Sequence, residues 1–585
     1  MAKEQENRKL QNLPACVGEF IRRVVEKMRY RKKVRQDVQD ELTVHFEDEL
    51  KAYKTDEDRR AKAQQLITDF GDVKLLAVLL RRAKKRCRPL WRTMLARGSQ
   101  SAAIMTVCFV LYVMWFFSGR PNITTDYVAQ LNRIAKPVAD ESLNAAPFYE
   151  KAVELHVKEP NDLSKFPKWP EDLSDEQMAV ITRWISDNEP CFEQIKLAGE
   201  KPHYWQRYEG EPGDMLLGLS FNLPDFRKLA RLVLWRAKMR AHQARTTDAF
   251  GDILLCYRMG MHAKVPTSLF EQLIGMGVER TAVDTALVVL DQVDVGEEAL
   301  SNFQRRFERL VEQDNFGMRL DGERLSVYDE VQRLFTDGFG GGHIIPRRVK
   351  ELYFETQVQV IGLSANTGGA PPPQKQRPSW FEKRISDIKY VAWSTIESAR
   401  RLGLRARRTA HLLFLHPDKQ QTFRATQQLY DYWQGLTVKS PAQIRTEGID
   451  PEKHTQQIVK GNMLLEMFGS VPGHVSEITH QRRTEIQALI PILALVRYKC
   501  DTGHYPEDLG ELITGGYLKK LPVDPYTDKP LIYRKTDKDF VLYSIGQNFT
   551  DEGGEVVRRE DGRIKKWAFQ GDTVFWPVLK PDAER

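Results

Sequence analysis

Residues Gly98–Gly119 carry no charged side chain, and Ile104, Val107, Phe109, Val110, Leu111, Val113, Phe116 and Phe117 make the run strongly apolar. A helix of that length rises about 33 Å, enough to cross the hydrocarbon core of a bilayer. The apolar residues fall on every side of the helix, whereas a helix buried in a soluble core usually keeps a polar stripe. The stretch is therefore read as one transmembrane helix. Other apolar runs, Ala488–Val496 among them, are too short to span.

The flanks of this segment set an orientation. Arg81, Arg82, Lys84, Lys85, Arg86, Arg88, Arg92 and Arg97 precede it with no acidic residue among them, and after Arg120 the next basic residue is Arg133. The positive-inside rule then predicts residues 1–97 in the cytoplasm and 120–585 outside it. The opening residues lack the basic, apolar and small-residue succession of a cleavable signal, so the span itself is expected to be the anchor. The predicted location is the cytoplasmic (inner) membrane, with a single pass.

Charge separates the two sides further. Residues 1–97 hold 25 Lys and Arg against 15 Asp and Glu, and the rest of the chain holds 63 against 65. The net charge of +8 is thus a property of the N-terminal end, and the bulk offers no basic face to a polyanion. Nucleic acid is disfavoured as a partner. The lipid bilayer is the expected one, and the basic flank also suits anionic headgroups, worth about 1 kcal/mol per residue near the surface. At 585 residues, with 41% hydrophobic and 29% charged, the chain is long enough for several folded units and is neither disordered nor polytopic by composition. Cys191, Cys256 and Cys500 fall outside the membrane on this reading, an odd number, and no C-x-x-C pair is present.

Ahead of the span, Val34, Val38, Leu42, Phe46 and Leu50 recur every four residues, which predicts an amphipathic helix. Thr55 with Asp58 marks the start of a second helix, and Gly71 sits where a left-handed C-terminal residue is expected. Val73–Leu80 reads as a third. This run, with Phe70-Gly71-Asp72 before an Ala/Leu helix, resembles the short helical prefix domains that precede bacterial permeases. The resemblance covers about residues 18–85 and implies docking or regulation rather than chemistry.

Beyond Arg120 helical periodicity dominates. Ser174 with Gln177 writes a capping box, and Phe226–Ala244 and Phe250–His262 are predicted as two long helices joined by Arg245-Thr246-Thr247-Asp248. Without a fixed repeat period, an irregular helical bundle is favoured over a solenoid. The glycine-rich stretch Asp337–His343 matches neither phosphate-binding spacing and reads as a surface loop. Ser364–Ser379, with Pro371-Pro372-Pro373, reads as a linker, and Arg400, Arg401, Arg405, Arg407 and Arg408 as a solvated helix face.

The C-terminal end changes character. A stripe of Ile486, Leu489, Leu493 and Val496 predicts a helix that breaks at Asp501-Thr502-Gly503-His504-Tyr505-Pro506. Tyr517–Pro525 follows as a proline-fixed turn, then Leu531–Arg534 and Phe540–Ser544 as two antiparallel strands. These pieces in this order, ending in Leu542-Tyr543-Ser544-Ile545-Gly546 before an acidic glycine loop, resemble the head of the type II secretion major pseudopilin. The resemblance covers about 75 residues. In that family the loop after the last matching strand binds calcium, which points to Asn548, Asp551 and Glu552, with Gly553 and Gly554 allowing the turn. No other cofactor is implied. A pseudopilin joins its head directly to its apolar helix, but here about 365 residues intervene and the helix opens with Arg482, Arg483 and Glu485, so polymerisation is disfavoured.

The fold expected is mainly α: a cytoplasmic helical domain at 1–97, the transmembrane helix at 98–119, a helical external domain at 120–363, a linker at 364–379, a helical continuation at 380–480, and an α+β module at 481–585. No H-E-x-x-H or G-x-S-x-G motif occurs, and no catalytic residue is assigned. The function expected is a non-enzymatic interaction or structural role in the bacterial envelope, in secretion or signalling, with other envelope or secretion proteins as partners. The alternative is an extracytoplasmic enzyme with its site in a cleft of the helical domain.

Overall fold

The computed structural model describes residues 12–86, 90–161, 163–209, 216, 223–314, 316–338, 341–348, 415–469, 471–559, 562 and 564–579. The expected linker Ser364–Ser379 and the arginine cluster at 400–408 lie outside the described residues. The chain divides into two compact units, Met1–Trp115 and Phe116–Arg585.

The first unit contains α1 (Ala15–Lys27), α2 (Lys32–Leu50), α3 (Asp56–Phe70), α4 (Val73–Arg86) and most of α5 (Leu90–Phe117). Val38, Leu42, Phe46 and Leu50 are buried, as their four-residue spacing predicts. Phe20, Phe46 and Phe70 meet with ring centroids 5.4–6.0 Å apart, which draws α1, α2 and α3 together. The Thr55 hydroxyl accepts from the Asp58 N–H, and Gly71 takes φ 74°, so α3 starts and stops at the residues expected. Within α5, Arg97–Phe117 is long and apolar enough to cross a membrane, with mean hydropathy 1.8 and only 6% of the window buried.

The second unit opens with α6 (Tyr127–Ala135), α7 (Ala146–Leu155), α8 (Asp175–Asp187) and α9 (Glu189–Gly199). Ser174 and Gln177 close the reciprocal capping box at the start of α8. The centre of the unit is a stack of α10 (Leu223–His242), α11 (Thr246–Ala263) and α12 (Leu269–Gln292), in which α11 packs along both neighbours. Glycine makes the closest approach in that stack possible. A Cβ on Gly260 would lie 2.8 Å from the Gly275 carbonyl oxygen, and one on Gly275 would lie 2.6 Å from that of Gly260. α13 (Glu297–Gln313) stacks Phe303 on Phe250 at 4.2 Å, and α14 (Asp321–Leu334) packs against α6 and α15 (Lys419–Leu436). Lys264, at the end of α11, pairs inside with Glu279 of α12 at 2.7 Å and with Asp314 after α13.

Three short helices, α16 (Pro441–Thr446), α17 (Pro451–Val459) and α18 (Met463–Phe468), lead to α19 (Val471–Thr502). This helix begins before Thr484, where the apolar stripe first becomes legible, and residue 481 lies inside it. Ile486, Leu489, Ile492 and Leu493 are fully buried, and α19 packs on α12 and α13. It ends at Thr502, followed by Gly503 at φ 80°. After α20 (Gly510–Thr514), β1 (Val523–Asp524) pairs with β2 (Lys529–Pro530). β3 (Ile532–Lys535) pairs antiparallel with β4 (Phe540–Ser544), Ile532 facing Tyr543 and Lys535 facing Phe540. A third strand, β5 (Thr573–Trp576), adds to β4 and was not foreseen. One apolar core runs from Ala145 through α19 to Trp576.

Candidate functional site

Two places concentrate polar groups. The first is an open cleft of about 810 Å³ in the helical body, lined by Asp126, Lys136, Glu141, Glu150, Tyr208 and Glu209 among others. One wall is residues 205–209, the end of the extended segment 201–209, and side chains hold it as a sheet neighbour would. The Asn132 amide donates to the Tyr208 carbonyl at 2.9 Å, and its oxygen accepts from the Tyr208 N–H at 2.8 Å. Asn144 repeats the device on Trp205 at 2.9 and 3.1 Å, while also accepting from the Ala146 N–H to start α7. Paired bonds of this kind satisfy both backbone groups and fix the strand-like conformation.

The start of the segment is fastened from α11. The Arg258 guanidinium donates to the carbonyls of Lys201 and Pro202, and His262 Nε2 lies 3.0 Å from the Lys201 oxygen. A carbonyl only accepts, so Nε2 carries the proton. Burial, with Arg258 adding to it, depresses His262 to about 3, so the ring is neutral and its Nδ1 accepts from the Tyr149 hydroxyl at 2.9 Å. At the far end, the Tyr208 hydroxyl lies 3.0 Å from Glu271 Oε1 and 2.8 Å from the Thr267 hydroxyl, which bonds the other Glu271 oxygen. Burial pushes Glu271 up to about 7, against the hydrogen bonds from Thr267 and Tyr208 that pull it down. A carboxyl that titrates near neutrality thus stands directly behind a cleft-lining phenol.

No family model, curated protein or solved structure matches the chain. The chemistry of both sites therefore rests on geometry alone.

The second place is the acidic turn after β4. Asn548 and Glu552 come together, the Asn548 amide donating to Glu552 Oε1 at 2.6 Å. Asp551 turns to accept from the Gly553 N–H at 2.9 Å and from the Tyr543 hydroxyl at 3.0 Å. The residue the linear reading missed is Asp572, placed beside Glu552 by the pairing of β5 with β4. Its Oδ2 accepts from the Gly554 N–H at 2.6 Å. Asp572 Oδ1 and Glu552 Oε2 are both buried with no hydrogen-bond donor. Burial first, and the neighbouring Glu552 carboxylate after it, push Asp572 up to about 6, although the backbone N–H groups of Gly554 and Glu552 hold it down. Among the described residues no group of three or more His, Cys, Asp or Glu side chains is arranged for a metal. Two orphaned carboxylate oxygens beside Asp551 nevertheless fit a hard cation in chemistry, completed by amide or backbone oxygen.

Cys191 and Cys256 are buried free thiols and Cys500 an exposed one, so each stands as a single thiol. Neither Asn132 nor Asn144 carries a signal in the linear sequence. Each acts through a backbone segment more than sixty residues away.

Proposed function

We propose that the chain is a single-pass protein of the bacterial inner membrane, with its N-terminal helical unit in the cytoplasm and its larger unit outside, working as a binding body rather than an enzyme. The reading rests on the cleft whose wall, residues 205–209, is held in advance by Asn132 and Asn144, while Arg258 and His262 fix Lys201 just ahead of it. A wall fixed before a ligand arrives loses little entropy on binding. The burial of α19 along α12 and α13 supports a role without polymerisation, because the helix a pseudopilin uses for assembly is already covered by this chain's own helices. Secretion or signalling partners follow only from the pseudopilin and prefix resemblances. Calcium, on this proposal, is held by the donor-less oxygens of Glu552 and Asp572 with amide or backbone oxygen completing the shell, and would supply a cross-link between the acidic turn and β5.

A photo-crosslinking residue at Gln206, in intact membranes, tests the binding role. A discrete adduct at Gln206 that is absent at exposed Val180 and lost in Asn144→Ala supports it. Equal labelling at both positions, or none, rejects it.

One observation favours the enzyme reading instead. Glu271, hydrogen-bonded to Tyr208, is poised near neutrality as a general acid or base should be. If the cleft turns over a ligand, Glu271→Gln abolishes turnover while leaving the Gln206 adduct.

A further inference from the structure

Helix α4 is apolar on two sides. Its inner face, Val73, Leu76, Ala77 and Leu80, joins the core of the first unit, where α4 packs on α1. On the opposite side Leu75, Val78 and Leu79 are 60%, 44% and 51% exposed. With Arg82 they recur at i, i+3, i+4 and i+7, so the four form one outward stripe. Lys74, Arg81 and Lys85, seven and then four residues apart, run down one edge of it and are also exposed. Val73–Arg86 contains no acidic residue. Among the described residues no carboxylate pairs with Lys74, Arg81, Arg82 or Lys85, whereas Lys84 is paired with Glu41 of α2.

A helix that meets only water on its outer side carries polar residues there, and three aliphatic side chains in one stripe mark a surface that binds something apolar. The basic edge adds that the partner is also anionic. Val44 gives the contrast within the same unit: it is 53% exposed on α2, but its helical neighbours are Asp40, Glu41, Glu47 and Asp48. The chain limits how far α4 stands from α5. Leu90 follows Arg86 by four residues, a reach of at most about 14 Å, and the helical rise from Leu90 to Arg97 adds about 10 Å. The end of α4 is therefore tethered close to the point where the apolar window of α5 opens. At that range a stripe too narrow to keep a free helix on a bilayer meets the surface at high effective concentration.

We infer that the outward face of α4 docks on the anionic bilayer surface of the leaflet at which α5 begins. Leu75, Val78 and Leu79 enter the boundary between headgroups and acyl chains, and Lys74, Arg81, Arg82 and Lys85 meet the headgroup phosphates. The inference rests on α5 spanning a membrane, as proposed above, and adds to it a second attachment that lies in the membrane plane. Such a face would hold the helical unit against the membrane instead of leaving it on a loose tether.

The test places the full chain, with a benzoylphenylalanine at position 78 or at position 44, in nanodiscs of phosphatidylcholine with increasing shares of phosphatidylglycerol. Lipid adducts formed on irradiation are counted by mass spectrometry. They should form at position 78, rise with phosphatidylglycerol, and be absent at position 44. At the share that gives half the maximal yield, Arg82→Gln should lower the ratio of docked to free helix about fivefold, the equivalent of about 1 kcal/mol for one charge at the surface. Leu75→Ser with Leu79→Ser should abolish the adduct, and near-UV circular dichroism confirms that each variant is folded. Equal adducts at the two positions, or a yield at position 78 that ignores phosphatidylglycerol, overturns the docking. So does an adduct with a second copy of the chain in place of lipid, which would make this face a self-interface. A chain that enters nanodiscs but gives no lipid adduct at position 78 overturns the docking and leaves the span standing. One that fails to enter them overturns both.

Discussion

The indole N–H of Trp567 donates to the buried carboxylate of Glu485 at 2.8 Å, tying the turn before β5 to the middle of α19. Glu485 also pairs with Arg482 one turn earlier and lies 3.6 Å from Arg280 of α12. Three segments far apart in sequence therefore meet on one side chain that is 4% exposed.

Removing that carboxylate leaves the indole N–H without its acceptor and half-buried Arg482 without its ion-pair partner. Glu485→Ala should cost about 3 kcal/mol and Trp567→Phe about 1–2, since a buried charge left alone is penalised more than a single lost hydrogen bond. Thermal unfolding of the detergent-purified chain measures both. Melting temperatures equal to wild type would show that the bond contributes nothing to the terminal module.

His262 gives a pH signature. Its folded value of about 3 lies below the ordinary 6.5, so the unfolded chain binds a proton that the folded chain does not over that interval. The stability it confers is complete above about pH 6.5 and is lost as pH falls toward 3, at about 1.4 kcal/mol per pH unit. His262→Gln should flatten this acid limb. An identical slope in the variant would mean that the ring is charged in the fold.

Glu271 carries the opposite sign. Its carboxyl is raised from 4.5 to about 7, so the folded chain holds the extra proton and stability falls as pH rises through that window. Glu271→Gln should therefore be more stable than wild type at pH 8 and differ little at pH 4. Chemical denaturation at the two values decides it, and a variant weaker at pH 8 would refute the buried-acid assignment.

Local signals were readable where the reason was local. Ser174 and Gln177, Gly71 and Gly503 mark helix ends through their own backbone geometry, and the stripes of α2 and α19 follow from spacing. The strands β3 and β4 were legible from alternation and a polar loop. β5 was not, because Thr573–Trp576 is buried throughout and shows no alternation, and its partner lies some thirty residues earlier. The same pairing hid Asp572. The cleft was illegible for a related reason: Asn132 and Asn144 are ordinary polar residues until the fold sets them against Tyr208 and Trp205.

The acidic turn makes a joint prediction about metal and pH. With no cation, buried Asp572 beside Glu552 favours holding a proton, and ionising it as pH rises through about 6 weakens the fold. Calcium would relieve that repulsion, so it should raise the melting temperature at pH 7 and have less effect at pH 5. Asp572→Asn should be as stable at pH 7 without calcium as wild type is with it, and should not respond to the metal. Calorimetric titration with calcium that shows no heat and no thermal shift in wild type would remove the cation from the proposal.

Arginine at position 110 tests the span itself. Val110 lies within Arg97–Phe117 and is exposed. Val110→Arg should weaken insertion by about 3 kcal/mol, on the scale where central arginine costs most. Arg97→Ala, at the edge, should cost far less because a residue there reaches the headgroups. Alkaline carbonate extraction separates the outcomes: Val110→Arg should shift a large share of the chain to the soluble fraction while wild type and Arg97→Ala remain in the pellet. Release of all three alike would mean that Arg97–Phe117 does not anchor the chain.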